Sequence, residues 1–326
     1  MSDGAPAPAS LPASLSALPK RVEVYEVGPR DGLQNELRAL STPDKARLIE
    51  ALVASGLTRI EITSFVSPRW IPQLADADKL LSLVPRRPGV VFSALVPNLK
   101  GLERAQAAGL EEAAVFLSVT ESHSRKNINK SVAEAVATSR EVAEAARRLG
   151  LRVRAYLSTV WGCPYEGKTP VARVVEVARQ LADCGAYQLS FGDTIGVGTP
   201  GQTAQLIEAL LAFLKPEQIA LHLHDTRGTA LANALVGLSM GITTFDASIG
   251  GLGGCPYAPG AAGNLATEDL VYMLQGMGVD TGVDLPRLVE AGELAQELIG
   301  RKLSGKYLQA ALGEREKQAS RARAGA

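Results

Sequence analysis

Residues 59–63 read Arg-Ile-Glu-Ile-Thr. Extended backbone points successive side chains to opposite faces, so Ile60 and Ile62 share one side while Glu61 and Thr63 share the other. An open, doubly wound parallel sheet is normally apolar on both faces. A carboxylate and a hydroxyl on the second face fit a closed barrel instead, with an outer face packed on helices and an inner layer that turns polar near the mouth. Phe245-Asp246-Ala247-Ser248 repeats the pattern, with Asp246 and Ser248 on the polar side.

Working outward, short β-type runs alternate with helical ones. Strands are expected at Val22–Val27, Arg59–Thr63, Val90–Leu95, Ala113–Ser118, Val153–Ser158, Gln188–Gly192, Ile219–His224 and Thr244–Ser248. The helices between them carry recurring start and stop signals. Ser41-Thr42-Pro43 opens a helix whose Leu48, Ile49, Leu52 and Val53 share a face, and Gly56 closes it. Thr169-Pro170 and Thr199-Pro200 repeat the opening, and Ser131 with Glu134 offers a capping box. The reading is an α/β chain forming a (β/α)8 TIM barrel over residues 21–312, with additional C-terminal helices after Gly263. Residues 1–20, mostly Ala, Pro and Ser, and residues 313–326 are expected as flexible tails.

Composition agrees with one large buried core. The chain has 326 residues, 46% of them hydrophobic and 21% charged, with mean hydropathy +0.07. Its 34 basic and 34 acidic side chains cancel, so no overall field attracts nucleic acid or anionic lipid. An anionic partner must be held by a local site. Three cysteines do not build a disulfide framework and suit a reducing compartment. The N-terminal stretch has neither the cationic start and apolar core of a secretory signal nor the arginines of a transit peptide, and no apolar run is long enough for a membrane span. A cytoplasmic protein is expected.

On a barrel, reactive groups gather where strands end at the C-terminal face. Arg30-Asp31 follow the first strand, Glu61 lies on the second, Asp193 ends the sixth, and Leu-His222-Leu-His224-Asp225 ends the seventh. Two of the three histidines, two residues apart, point the same way. With Asp31 they make a mixed nitrogen and oxygen set without thiolate, which suits Mg²⁺ or Mn²⁺ better than a closed zinc site. The stretch from Gly250 to Asn264 is rich in glycine and carries Cys255, as a mobile lid with a chemical thiol at its centre would. Cys163 and Cys184 read as structural. Gly196-Val-Gly-Thr-Pro-Gly201 matches a dinucleotide fingerprint weakly, because Asp193-Thr194-Ile195 intervene after the strand; its glycines read as turn residues with a phosphate contact open to them. A nicotinamide oxidoreductase is the reading that motif would support.

Val27-Gly-Pro-Arg-Asp-Gly-Leu-Gln-Asn-Glu36, Thr63-Ser-Phe-Val-Ser-Pro68, Lys126-Asn-Ile-Asn129, Gly162-Cys-Pro-Tyr-Glu-Gly167, Gly192-Asp-Thr-Ile-Gly-Val-Gly-Thr-Pro-Gly201, His222-Leu-His-Asp-Thr226, Gly251-Leu-Gly-Gly-Cys-Pro-Tyr257 and Gly263-Asn-Leu-Ala-Thr-Glu-Asp-Leu270 stand in this order along the chain. Together they closely resemble the 3-hydroxy-3-methylglutaryl-CoA lyase family, from about Val22 to Leu303. Synthase and aldolase relatives on the same barrel share only the Arg-Asp and His-x-His parts, so the motif around Cys255 separates the lyase from an acetyl-CoA-condensing synthase.

The resemblance implies cleavage of 3-hydroxy-3-methylglutaryl-CoA to acetoacetate and acetyl-CoA, in leucine degradation and ketone body formation. It implies a divalent cation held by Asp31, His222, His224 and Asn264. Arg30 is then the contact of the thioester oxygen, Cys255 the active-site cysteine, His222 or Asp31 the base, and Glu61, Asp193 and Glu268 the supporting polar groups. The partner is an acyl-CoA, with no nucleic acid and no membrane, and a homodimer is compatible with the family. Where the family's strand-seven motif often continues His-Asp-Thr-Tyr-Gly, this chain has His-Asp-Thr-Arg227-Gly. An arginine at the mouth could pair with a substrate carboxylate or a CoA phosphate, or face solvent, which leaves a longer branched 3-hydroxyglutaryl-CoA as an alternative substrate.

Overall fold

The computed structural model describes residues 18–253 and 263–324. Eight parallel strands close into a barrel: β1 (Glu23–Glu26), β2 (Arg59–Ser64), β3 (Val91–Leu95), β4 (Glu112–Ser118), β5 (Arg152–Ser158), β6 (Gln188–Gly192), β7 (Ile219–His222) and β8 (Thr244–Ala247). Each strand pairs with its sequence neighbours, and β8 returns to β1, with Glu23 opposite Thr244 and Tyr25 opposite Asp246. Closure buries the alternation of β2 on both sides. Ile60 and Ile62 pack outward among the helices, while Glu61 and Thr63 are equally buried in the lumen.

Most caps stand where the local chemistry puts them. Ser41 accepts from the amide of Asp44 at the start of the helix Thr42–Ala54, and Ser131 and Glu134 bond each other's amides at the start of Val132–Arg148. Thr169 is an exception. Its hydroxyl donates to the Thr159 carbonyl, and the helix begins one residue later, at Val171, after Pro170.

Two expectations change. The seventh strand stops at His222, because beyond it the chain leaves the barrel; His224 pairs instead with Asn264 in an isolated antiparallel bridge. The lumen is polar well below the mouth. The Tyr25 hydroxyl donates to Glu112 Oε1 at 2.6 Å and bonds the Ser93 hydroxyl at 2.6 Å, and Arg154, wholly buried, is paired with Asp246. Parallel register sets Tyr25, Asp246 and His222 in one row, so the polar groups of different strands reach each other.

After β8 come the helices Thr267–Gly276, Leu285–Ile299 and Lys306–Ala324. The start of the last is held by Asp269, whose carboxylate accepts the amides of Lys306 and Tyr307, and the helix continues through the stretch read as a tail, with residues 314–323 exposed.

Candidate active site

The strand ends surround a cavity of about 830 Å³, within the range of small-molecule sites. Arg30, Asp31, His222 and His224 all line it. Arg30 and Asp31 arrive on a wide turn, Gly28–Gly32, in which the Val27 carbonyl accepts the amide of Asp31 at 2.7 Å. Glu26, buried at the end of β1, fixes this turn by accepting the Gly28 amide at 2.7 Å.

Arg30 is clasped by two carboxylates. Its Nε donates to Glu61 Oε2 at 2.6 Å and its Nη1 to Asp31 Oδ1 at 2.5 Å, while the Tyr156 ring lies 5.5 Å from the guanidinium carbon. Burial works against its charge, but Glu61 and Asp31 outweigh that and keep it charged, and Tyr156 adds a hydroxyl bond to the same Glu61 oxygen at 3.2 Å. Burial works against the charge of Asp31, but Arg30, then His222 and His224, hold its carboxyl well below the usual range.

Asp31, His222 and His224 offer ligand atoms that all lie within 4.8 Å of one another. His222 Nε2 stands 3.3 Å from His224 Nε2 and 3.8 Å from Asp31 Oδ2. Asn264 joins them through the bridge to His224: its Nδ2 donates to Asp31 Oδ2 at 2.7 Å and to the Leu252 carbonyl at 3.0 Å, leaving Oδ1 as its ligand atom. Burial, with the neighbouring His222, pushes the His224 imidazole down to about 4, so it is neutral and able to ligate near pH 7. Two imidazole nitrogens, a carboxylate and an amide oxygen fit a hard or borderline divalent cation.

The remaining expected residues stand behind this wall. Asp193 is spent on the glycine motif: Oδ1 accepts the Val197 amide at 2.9 Å and Oδ2 that of Gly198 at 2.8 Å. Those two amides are therefore not available to a phosphate. Arg227 donates to the Ile195 and Gly196 carbonyls, at 2.7 and 3.0 Å, and so clasps the same turn. Glu268 lies off the cavity wall, buried, accepting the Gly250 amide at 2.8 Å beneath the turn after β8. Cys255, and most of the segment expected to cover the site, lie outside the described residues. Cys163 and Cys184 are buried free thiols.

Sequence reasoning missed three contributors. His123, the third histidine, also lines the cavity and is bonded to Ser118. Tyr156 lines it beside Arg30. Asp246 was placed on the inner face by its alternation, but its bond to His222 could not be read from spacing.

An acidic and imidazole cluster at the C-terminal mouth of a closed barrel, beside a clamped arginine, defines a barrel enzyme with a candidate divalent-cation site. Residues 21–295 match the HMGL-like family model. A hydroxymethylglutaryl-CoA lyase of Bacillus subtilis (strain 168) is 52% identical over 291 residues, covering 89% of this chain and 97% of that protein. A crystal structure of the Bacillus subtilis HMG-CoA lyase superposes with a TM-score of 0.89 at 52% identity, over 90% of this chain and 98% of the other. An HMG-CoA lyase from Acinetobacter baumannii, solved with coenzyme A and 3-methylmalate, gives 0.85 at 35% identity, over 92% and 97%. The chain belongs to the hydroxymethylglutaryl-CoA lyase family.

Proposed function

We propose that this protein is a hydroxymethylglutaryl-CoA lyase that splits 3-hydroxy-3-methylglutaryl-CoA into acetoacetate and acetyl-CoA. The observation that carries the reading is the convergence of Asp31, His222 and His224 beside Arg30 on one cavity wall, in a chain about half identical to enzymes of that name. The donor set supports Mg²⁺ or Mn²⁺, held by Asp31, His222, His224 and Asn264. When bound, such an ion supplies positive charge that makes loss of the substrate's tertiary hydroxyl proton affordable near pH 7.

The residues divide the rest of the work. The C2–C3 bond breaks, its electron pair passes to C2 as the thioester enolate, and C3 becomes the ketone of acetoacetate. Arg30, permanently charged and fixed by Glu61, faces the cavity and stabilises the enolate oxygen. Of the two candidate bases, the Asp31 carboxyl is held at too low a proton affinity for the role, and His222 has one free lone pair, at Nε2, which accepts the proton only when it is not spent on the cation. Cys255, outside the described residues, is assigned the return of a proton to C2. Arg227, committed to two backbone carbonyls, gives no support to a longer acyl chain.

Among the described residues no helix is long and apolar enough to cross a membrane. A cytoplasmic homodimer acting on acyl-CoA in leucine degradation and ketone body formation completes the reading. The test is acetoacetate release from the purified protein on a panel of 3-hydroxyacyl-CoA thioesters, with EDTA and then Mg²⁺ or Mn²⁺. Release from the 3-methyl substrate, lost with chelator and restored by the ion, is expected; release indifferent to EDTA removes the cation, and turnover of other thioesters alone removes the substrate.

A further inference from the structure

The two cavity histidines differ in what stands behind them. His224 Nδ1 is buried with no hydrogen-bond partner among the described residues. His222 Nδ1 lies 3.2 Å from Asp246 Oδ2. That carboxylate is itself locked. Arg154 donates Nη2 to Oδ1 at 2.6 Å and Nη1 to Oδ2 at 3.1 Å, and Ser190 donates its hydroxyl to Oδ2 at 2.7 Å. Arg154 is held in turn by Gln188 Oε1 at 2.9 Å and lies between the rings of Tyr25 and Tyr156, 4.0 and 4.8 Å from their centroids. Both charged partners have no solvent exposure.

We infer that Asp246, anchored by Arg154, is a positioning residue for His222: it keeps the imidazole proton on Nδ1, so that the Nε2 lone pair faces Asp31 and His224. An ionised carboxylate can only accept, so the ring nitrogen facing it must be the donor. The bidentate arginine keeps the carboxylate ionised in the barrel and fixes its plane. The polar lumen thus has a function at the mouth, because a rigid column of side chains runs from Gln188 through Arg154 and Asp246 to one ligand and not to the other. Outer partners of this kind orient metal-binding histidines in general, and their loss typically weakens metal affinity by about 10–100-fold. The inference rests on the cation reading, and its test separates the two.

The experiment uses full-length protein labelled with ¹⁵N-histidine, whose three histidines give few signals to assign. In metal-free wild type, His222 is expected to show a protonated Nδ1 and a bare Nε2. Asp246→Asn presents an amide that can also donate, so its His222 is expected to populate the other tautomer. Its Mn²⁺ affinity, read by electron paramagnetic resonance of the free ion, is expected to fall by about tenfold or more. Wild type with the proton on His222 Nε2, or folded Asp246→Asn with unchanged tautomer and Mn²⁺ affinity, overturns the inference. Should the variant not fold, the wild-type spectrum still decides it. Wild type that binds no Mn²⁺ removes the cation, and the histidine spectra alone then judge Asp246.

Discussion

The Glu26 carboxylate at the end of β1 accepts the backbone amide of Ile249, just past β8, at 2.9 Å. The same oxygen accepts the Gly28 amide, and the other accepts the Thr267 hydroxyl at 2.6 Å. One buried side chain thus ties the turn that carries Arg30 and Asp31 to the turn that leads toward Cys255. Glu26→Ala leaves two interior amides without an acceptor, at a cost of about 2–5 kcal/mol. Urea unfolding is expected to show that loss, with Glu26→Gln, which retains an acceptor oxygen, intermediate.

Burial raises Glu26 to about 7 and Glu268 to about 8. Both are acids raised above their unfolded values, so the folded state holds protons that the unfolded chain releases. Their contribution to stability is complete below about pH 4.5 and is lost as pH rises through about 7 to 8. Glu268→Gln cannot deprotonate and still offers an oxygen to the Gly250 amide. The thermal midpoint of this variant, measured by differential scanning calorimetry, is expected to fall less steeply between about pH 5 and 8 than that of the wild type. Parallel slopes would show that Glu268 does not titrate in this window.

Arg30 donates to Glu61 and Asp31 from different nitrogens, a fork that lysine cannot reproduce. Arg30→Lys keeps the charge and loses the geometry. A drop in kcat of roughly 10²–10³, with KM changed much less, is expected from steady-state kinetics, in line with loss of one preorganised donor to a developing oxyanion. An equal loss in kcat and affinity would make Arg30 a binding group instead.

What was legible in the sequence is what is local. Strand positions follow from alternation within a few residues, and the caps at Ser41 and Ser131 follow from spacing within one turn. Arg154 shows the limit. Alternating with Val153 and Ala155, it looks like the solvent face of a strand, and only closure of the barrel turns that face inward onto Asp246. Asn264 carries no local ligand signal either; an antiparallel bridge to His224 delivers it, and only the family resemblance named it beforehand. The glycine motif reads as a turn and forms one, but Asp193 takes the Val197 and Gly198 amides, a side-chain contact that spacing does not reveal.

Cys255 is assigned proton return to C2, a step that follows substrate and cation binding. Cys255→Ala is therefore expected to lower turnover by about 10²–10⁴, the usual share of a positioned acid, while Mn²⁺ affinity stays as in the wild type. Titration with Mn²⁺ beside a turnover assay checks both halves. Unchanged turnover would return the thiol to a structural role.

Gly253 supplies the last prediction, because it backs a proposed cation ligand. Its φ of +115° lies in a region that side-chain-bearing residues rarely adopt, and a Cβ there would stand 2.5 Å from Asn264 Nδ2. That amide nitrogen is bonded to Asp31 and Leu252, so it cannot retreat without giving up one of them. Gly253→Ala is therefore expected to push Asn264 off Asp31 and to weaken Mn²⁺ binding by about tenfold, the low end for a disturbed ligand shell. The bulk of the barrel should keep its thermal midpoint, since the strain falls at the mouth and not in the packed layers. Calorimetry and a Mn²⁺ titration on the same sample separate these effects; a lowered midpoint with intact Mn²⁺ affinity would mean that Gly253 serves the fold and not the site.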